Sequence, residues 1–472
     1  MRTVILLPFM LMTPLLWGQQ PWTLEQCLAK ARERNLDVRN AALDADLADK
    51  AHEQAYWSFL PNLNGAATHG YNWGKTIDQY TNTFATDRVR TNNLYLNSDV
   101  TLFQGGRKQQ ELKQTALDEQ AAGKGLEAAR NNVSTAVVRA YLDLLGLLEQ
   151  QQAAEAQASA TRQQSTMTEA LVGAGRLAQA DLMDIRSQLA QEEYDAVNLG
   201  IQAEQSRLTL VQLLQLDAQE VQSFRISAPV IGTLAPVEPT ATEAEVLEKV
   251  IASNPAWAQA VLRSQSAERG IAVAGASALP SLSFNASLGT GYSGRNFETV
   301  GLPVQDGSVL IGTTADDVPV FAPSFSQATQ VKSLSQQLDD NLNESVGFTL
   351  SIPIFNNMGN RLAKDRARIQ FERSKNEVER QRNSLQTDVQ NAMTAQRGAY
   401  RQYVSAKLAV EAAEESVRMA NERFAQQAIT VTDLNVAKAR LQQGTARLIQ
   451  AKYTWLMASK SLDILQGLPL TL

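Results

Sequence analysis

The chain has 472 residues, 44% hydrophobic but only 6% aromatic, with a formal net charge of −6. That acidic balance leaves no basic footprint for nucleic acid, and its single cysteine, Cys27, rules out an internal disulfide. Heavy use of Ala, Gln, Leu and Glu suits long helices with small contact residues.

Residues 1–19 read as a secretory signal peptide: Met1-Arg2-Thr3, an apolar run over 4–17, then Gly18 and Gln19, where cleavage is expected. The run is too short for a membrane anchor and contains Pro8 and Pro14. No later stretch reaches the ~18 apolar residues of a membrane-crossing helix. Cys27 follows Leu24-Glu25-Gln26 rather than the small residues that precede an acylated cysteine, so it reads as a small buried residue of an early helix.

That helical region ends at Leu60-Pro61, because proline lacks an N–H and restrains the residue before it. Leu63, Ala67, Tyr71 and Trp73 then share one parity, and Asn62, Asn64, Thr68 and Asn72 the other, which predicts a strand over 62–73. A second strand is predicted over 94–103, where Leu94, Leu96, Val100 and Leu102 oppose Asn97, Asp99 and Thr101; 74–93 reads as a loop. Such lengths, with one apolar and one polar face, match tilted strands with lipid outside and water inside. The alternative is a soluble sheet whose apolar face lies on amphipathic helices. Aromatic residues near the strand ends favour the membrane version, since such rings settle at headgroup level: Tyr71, Trp73 and Phe103 here, Tyr292 and Phe355 further on.

From Arg107 to about residue 172 there is no proline, which predicts a helix of roughly 66 residues, about 100 Å long. Gly173 and Gly175 mark a turn over 173–180. On the returning helix Leu182, Ile185, Leu189, Glu192, Ala196, Leu199 and Ala203 step by three and four, with Glu192 the break. A 3.5-residue repeat keeps its seam on a neighbour only by supercoiling.

The chain then repeats itself. Asn254 and Leu279-Pro280 stand 219 residues after Asn35 and Leu60-Pro61; Phe355 and Asp433-Leu434 stand 252 after Phe103 and Asp181-Leu182. The changed offset is an insertion of 33 residues between Pro280 and Phe355, tolerable in a loop. Strands are predicted over 281–292 (Leu282, Phe284, Ala286, Leu288 against Ser281, Ser283, Asn285, Ser287) and 345–355 (Val346, Phe348, Leu350, Ile352 against Ser345, Gly347, Thr349, Ser351). The Gly-, Ser-, Asp- and Pro-rich 293–344 reads as an exposed loop. A second helical hairpin follows, turning over 426–432, with seams at Val410, Ala413, Val417, Ala420 and Phe424 and at Leu434, Ala437, Leu441 and Gly444. The expected organisation is a first structural repeat over 20–230 and a second over 231–472. Four strands cannot close a barrel, and an open edge in lipid leaves backbone groups unpaired, so copies must join: two would give eight strands and three twelve.

In order and in duplicate, several weak motifs become specific. They are Asn35-Leu36 and Asn254-Pro255, the strand starts LPNLN (60–64) and LPSLSF (279–284), the junctions LFQGGR (102–107) and IPIFNNMGNR (352–361), and the tip segment ALVGAGRLAQADL (170–182). Over essentially all of its mature length the chain resembles the TolC family of outer-membrane efflux proteins. The resemblance implies a mainly α fold with a β-barrel part, in which three copies share a twelve-stranded barrel in the outer membrane. Long antiparallel coiled-coil helices would continue it as an α-barrel through the periplasm. Their tips would form a closing iris and dock a periplasmic adaptor (membrane fusion protein) of an inner-membrane pump. It further implies a homotrimer in outer-membrane lipid that serves as the exit duct of a tripartite efflux pump or type I secretion system and catalyses no reaction. The competing reading is a periplasmic coiled-coil adaptor or scaffold without a barrel, which would not need lipid-facing rows of Leu and Phe. The second tip, FAQQAITVTDL (424–434), departs from the family: it lacks the glycine of the first tip and an Arg just before Asp433.

Two site expectations follow. Asp181, Thr432 and Asp433 lie near the tips, where they either form an acidic threefold constriction favouring cations or cap the returning helices. Gly173, Ala174, Gly175, Arg176 and Leu177, with Gln427, Ala428, Ile429, Thr430 and Val431, are small or apolar enough at a turn to contact the adaptor. No catalytic, cofactor-binding or metal-binding constellation is read: His52 and His69 have no metal spacing, and the GKG at 123–125 lies in a helix rather than a phosphate loop.

Overall fold

A computed structural model describes residues 21–86, 88–227, 241–426 and 428–468. The expected signal peptide, the expected boundary between the repeats at 230 and Gln427 lie outside the described residues. Helices α1 (Leu24–Arg34) and α2 (Leu36–Trp57) lead to β1 (Asn64–Asn72). A short pair, β2 (Thr76–Ile77) and β3 (Phe84–Ala85), precedes β4 (Val89–Gln104), α3 (Arg107–Gly173) and α4 (Gln179–Leu214). After α5 (Ala218–Ser223), helices α6 (Glu243–Ser253) and α7 (Pro255–Ala276) lead to β5 (Ser281–Ser293). Then come β6 (Phe297–Thr313), β7 (Pro319–Val331), α8 (Leu334–Asp340), β8 (Asn343–Ser351), α9 (Gly359–Ala425) and α10 (Val431–Leu465).

The duplication is visible in local chemistry. Thr23 and Thr242 open α1 and α6 with reciprocal capping boxes, using Gln26 and Glu245. Asn35 and Asn254 then end those helices and start the next: Asn35 Oδ1 accepts the Asp37 N–H at 2.9 Å, and Asn254 Oδ1 accepts the Trp257 N–H at 3.0 Å. Helices α3 and α9 are each 67 residues long, and α4 and α10 are 36 and 35.

The chain divides into two compact units. The first comprises the described residues within Met1–Asp49, Leu117–Gln265 and Glu372–Leu472 and is mainly helical. Its core joins Leu24, Cys27, Leu28 and Ala31 of α1 to Val137, Tyr141 and Leu145 of α3, Leu210 and Leu214 of α4, Phe224, and Leu456 of α10. A smaller cluster repeats the theme with Val246 and Val250 of α6 against Leu385, Val389 and Met393 of α9 and Leu462 of α10. Beyond these clusters the seams take over: Val410 is buried and Ala413, Val417, Ala420 and Phe424 are half-buried, while their helical neighbours stay exposed. Helices α3 and α4 are held antiparallel by Gln157 to Glu192 (3.2 Å), Arg162 to Glu193 (2.5 Å) and Arg186 to Glu169 (2.8 Å).

The second unit comprises Lys50–Ala116 and Ser266–Phe371. It carries an antiparallel sheet ordered β1-β4-β5-β8, which leaves β1 and β8 as open edges. Gly105, with φ +57, turns β4 into α3: a Cβ there would stand 2.6 Å from Leu279 Cβ and 2.8 Å from the Ala276 carbonyl. The two halves therefore meet backbone against backbone at the foot of the sheet.

Four expectations differ from the structure: the loop expected over 74–93 instead holds the β2–β3 pair and the start of β4 at Val89, and three more follow. The loop expected over 293–344 is instead a long ribbon of β6 and β7, followed by α8. Irregularities at 300/304, 305/307 and 310/312 break its alternation, and its Gly and Pro residues look like loop composition. Strand β8 starts at Asn343 and stops at Ser351, not 355, because Pro353 cannot donate to a ladder. In β4 a register shift between Thr101 and Phe103 puts Phe103, rather than Leu102, opposite Leu282.

Candidate functional site

The registers settle which residues share a face of the sheet. On one side lie Gly65 and Ala67 of β1, Leu94, Leu96 and Val100 of β4, Leu282, Phe284, Ala286 and Leu288 of β5, and Val346, Phe348 and Leu350 of β8. The rings of Phe284 and Phe348 stand 5.2 Å apart. Away from the end of β5, where Thr290 on the same face donates to Leu338 O of α8 at 2.6 Å, no described element covers this face: Val346 is 76% and Phe348 69% exposed. Across the other side runs a polar ladder. Asn93 donates to Thr68 Oγ1 at 3.1 Å, Asn285 to Asp99 Oδ1 at 2.5 Å, Thr349 to Asn285 Oδ1 at 3.1 Å, and the Ser287 and Ser345 hydroxyls meet at 2.8 Å. An apolar face open over most of its strands beside a hydrogen-bonded polar face fits lipid on one side and water on the other, not a soluble sheet. No helix of the described residues is long and apolar enough to cross a membrane.

A model of the outer membrane efflux protein family matches residues 27–215 and 246–468. The chain belongs to that family. Its fold is similar to that of the CmeC outer membrane channel of Campylobacter jejuni (TM-score 0.75, 15% identity, 94% of this chain and 85% of that one). It is also similar to the outer membrane protein VceC of Vibrio cholerae (TM-score 0.72, 15% identity, 94% and 96%). The outer membrane protein TolC of Salmonella enteritidis is 31% identical over 120 residues. That match spans 24% of this efflux-family chain and 24% of the relative. With the family comes the outer membrane as location, with a large periplasmic portion.

The expected interface aromatics separate. Tyr71 is exposed between His69 (5.3 Å) and Trp73 (6.1 Å), with the Arg88 guanidinium 4.9 Å from its ring. Trp73 and Phe103 are exposed, and Phe355 is exposed beyond the end of β8. Tyr292 departs from the expectation: it is only 6% exposed, its hydroxyl takes a 2.6 Å bond from Arg90, and it is unavailable to headgroups.

At the first tip Gly175 has φ +70, and the Arg176 N–H reaches back to Leu171 O at 2.9 Å. The second tip makes the same closure without a glycine, from the Ala428 N–H to Arg423 O at 2.9 Å. Gly173, Ala174, Gly175, Arg176, Ala428 and Thr430 are exposed, while Leu177 and Ile429 are half-buried. Val431 is 3% exposed and belongs to the packing rather than to a docking surface. Asp181 accepts the Ala178 N–H at 3.1 Å. The residue that caps α10 is Thr430, not Thr432, which lies inside the helix. Thr430 Oγ1 accepts the Asp433 N–H at 3.2 Å, and Asp433 Oδ2 takes the Thr430 hydroxyl at 2.7 Å and its N–H at 3.1 Å. The Thr430 hydroxyl, then its backbone N–H, hold the Asp433 carboxyl below its usual range. The pattern Thr430-Val431-Thr432-Asp433 carries this box in the sequence, displaced by two residues from the expected cap.

Between α3, α4 and α10 lies a groove of about 320 Å³, lined by Gln150, Ala153, Gln157, Leu199, Leu441 and Thr445. His52 meets the Thr115 hydroxyl at 3.0 Å and His69 the Asn92 side-chain oxygen at 2.5 Å. No group of three metal-ligating side chains occurs among the described residues.

Proposed function

We propose that this chain is the outer-membrane exit duct of a tripartite efflux pump or type I secretion system, assembled as a homotrimer with a shared twelve-stranded barrel. The observation that carries the reading is the four-stranded sheet with one bare apolar face, one polar ladder and two open edges. In lipid every backbone group must find a partner, so β8 of one copy takes β1 of the next until the ring closes. The polar ladder then lines the water-filled lumen. The duct does no chemistry: transport is driven by an inner-membrane pump, reached through a periplasmic adaptor. The exposed tip residues Gly173, Gly175, Arg176 and Ala428, with half-buried Ile429 and with Gln427, are the proposed adaptor contacts, reached by a helical partner along the α3/α4/α10 groove. Asp181 and Asp433 are proposed to face the axis near the constriction. The Asp433 carboxyl, held below its usual range, keeps its charge at neutral pH and can favour cations while also capping its helix.

The test is extraction from outer membranes. A heat-modifiable trimer that conducts in planar bilayers is expected, and a freely soluble monomer without sheet content would end the proposal. Replacing Asp433→Asn should weaken cation selectivity; unchanged selectivity removes that residue from the constriction.

A further inference from the structure

We infer that the β6–β7 ribbon is an interface between copies of this chain: its apolar surface takes the 73–88 loop of the adjacent subunit, building a collar over each barrel seam. This rests on the trimeric barrel proposed above.

The ribbon belongs to no larger sheet. Two-stranded ribbons are marginal in water by themselves, yet this one runs for 17 and 13 residues. Each face carries exposed apolar pairs set among polar ones such as Glu298 with Gln330 and Thr299 with Thr329. Leu310 pairs with Phe321 and Phe297 with Val331 on one; Val309 pairs with Ala322 and Val300 with Ala328 on the other. Leu302 is 87% and Val304 67% exposed. A surface of this kind calls for a cover.

Topology chooses the occupant. The ribbon's base is pinned where β5 ends. Gln337 of α8 is fully buried; its oxygen accepts the Ser293 N–H at 2.9 Å, and its amide donates to Ser293 O at 3.1 Å and to Lys332 O at 2.9 Å. The Ser293 hydroxyl in turn donates to buried Asp78, whose other oxygen accepts the Tyr80 and Thr81 N–H groups at 3.0 Å. The subunit's own 73–88 loop is thereby anchored over β5, and the ribbon returns through α8 to β8, the free edge. In a closed barrel that edge meets β1 of the next copy, and the segment following that β1 is the next copy's 73–88 loop.

The chemistry matches. The loop exposes Trp73, Ile77 and Phe84 together with Lys75 and Arg88; of its two acidic residues, Asp78 is buried under the ribbon's base and Asp87 stands beside Arg88 in the sequence. Residues 296–331 hold Glu298, Asp306, Asp316 and Asp317 and no Lys or Arg. Apolar side chains meet apolar ones and basic groups meet acidic ones, once per seam. The insertion in the second repeat therefore supplies one ribbon per subunit, which alternates around the mouth with the short loop of the first repeat.

The experiment uses the full chain in outer membranes. Phe84→Cys with Val304→Cys is cross-linked by a flexible bismaleimide and read on denaturing gels. Ala67→Cys with Val346→Cys reports the β1–β8 seam in parallel. Cross-linked dimers and trimers from both pairs are expected. Seam products without ribbon products overturn the collar and leave the barrel standing; products from neither pair overturn both. In a second variant Asn-Gly replaces residues 301–327, joining the paired Val300 and Ala328. Its trimers should form but dissociate in detergent at lower temperature than the parent, with less sensitivity to salt. An unchanged dissociation temperature would overturn the collar.

Discussion

Removing Glu192 should loosen the first helical hairpin well away from either end. Glu192 is only 1% exposed at a seam position of α4. One carboxylate oxygen accepts from Gln188 at 2.9 Å and Gln157 at 3.2 Å, while the other has no hydrogen-bond partner. On α10, burial holds the Lys438 amine below its usual range and the Glu192 charge pulls it back up; the amine also bonds to Gln164. Substituting Glu192→Ala breaks two charge-assisted bonds worth about 1.5–3 kcal/mol each, discounted because half-buried amides recover water. It also leaves a half-buried ammonium without its counter-charge. Relief of the unpartnered oxygen returns about 1–3 kcal/mol. A net loss of about 2 kcal/mol is expected, below the ~3–5 kcal/mol for breaking a fully buried pair. At 1.36 kcal/mol per decade this is roughly thirty-fold faster amide exchange where local opening limits exchange. The assay is hydrogen exchange with mass spectrometry on the detergent-solubilised protein, following peptides from 150–172 and 180–200. The double variant Glu192→Ala/Lys438→Met removes both charges and should recover part of the loss. Exchange altered by less than about threefold in the single variant, or equally in the single and double variants, would refute the reasoning.

Cys27 is fully buried, and burial, then the Glu25 charge, push its thiol up to about 12. Native protein should resist thiol reagents at pH 8 and release one reactive thiol on denaturation. Because the folded value lies above the ordinary 9.0, the stabilisation from this group is complete below pH 9 and is lost as pH rises toward 12, measurable as a falling denaturation midpoint across that window. Gly105→Ala would force a Cβ against Leu279 and the Ala276 carbonyl in a left-handed conformation, costing about 2–4 kcal/mol. Sharply reduced heat-modifiable trimer is expected, and parental yield would refute it. Tyr141→Phe removes the hydroxyl that donates to Ser227 O at 2.6 Å and should cost about 1 kcal/mol, read as a lower midpoint of thermal unfolding.

Signals carried by neighbouring residues were legible in the chain itself. The Leu-Pro stops, the two-residue alternation of 281–288 and the three-four stepping of 410–424 depend on local backbone geometry, and helices, strands and half-buried seams lie there. Duplication added the order of elements, because matching contexts such as Asn35 and Asn254 do the same capping work. Tertiary structure decided what depends on distant partners. Tyr292 alternates like its neighbours, yet Arg90, 202 residues away, takes it out of reach of lipid. The ribbon was hidden because bulges break its period and its glycines resemble a loop, so only its pairing reveals it. Glu192 looked like a simple break in a heptad; Gln157 and Lys438, brought in by other helices, make it a polar centre of the hairpin. Local periodicity specifies elements because it is a property of adjacent residues, whereas register, burial and charge pairing belong to residues that meet only once the chain has folded.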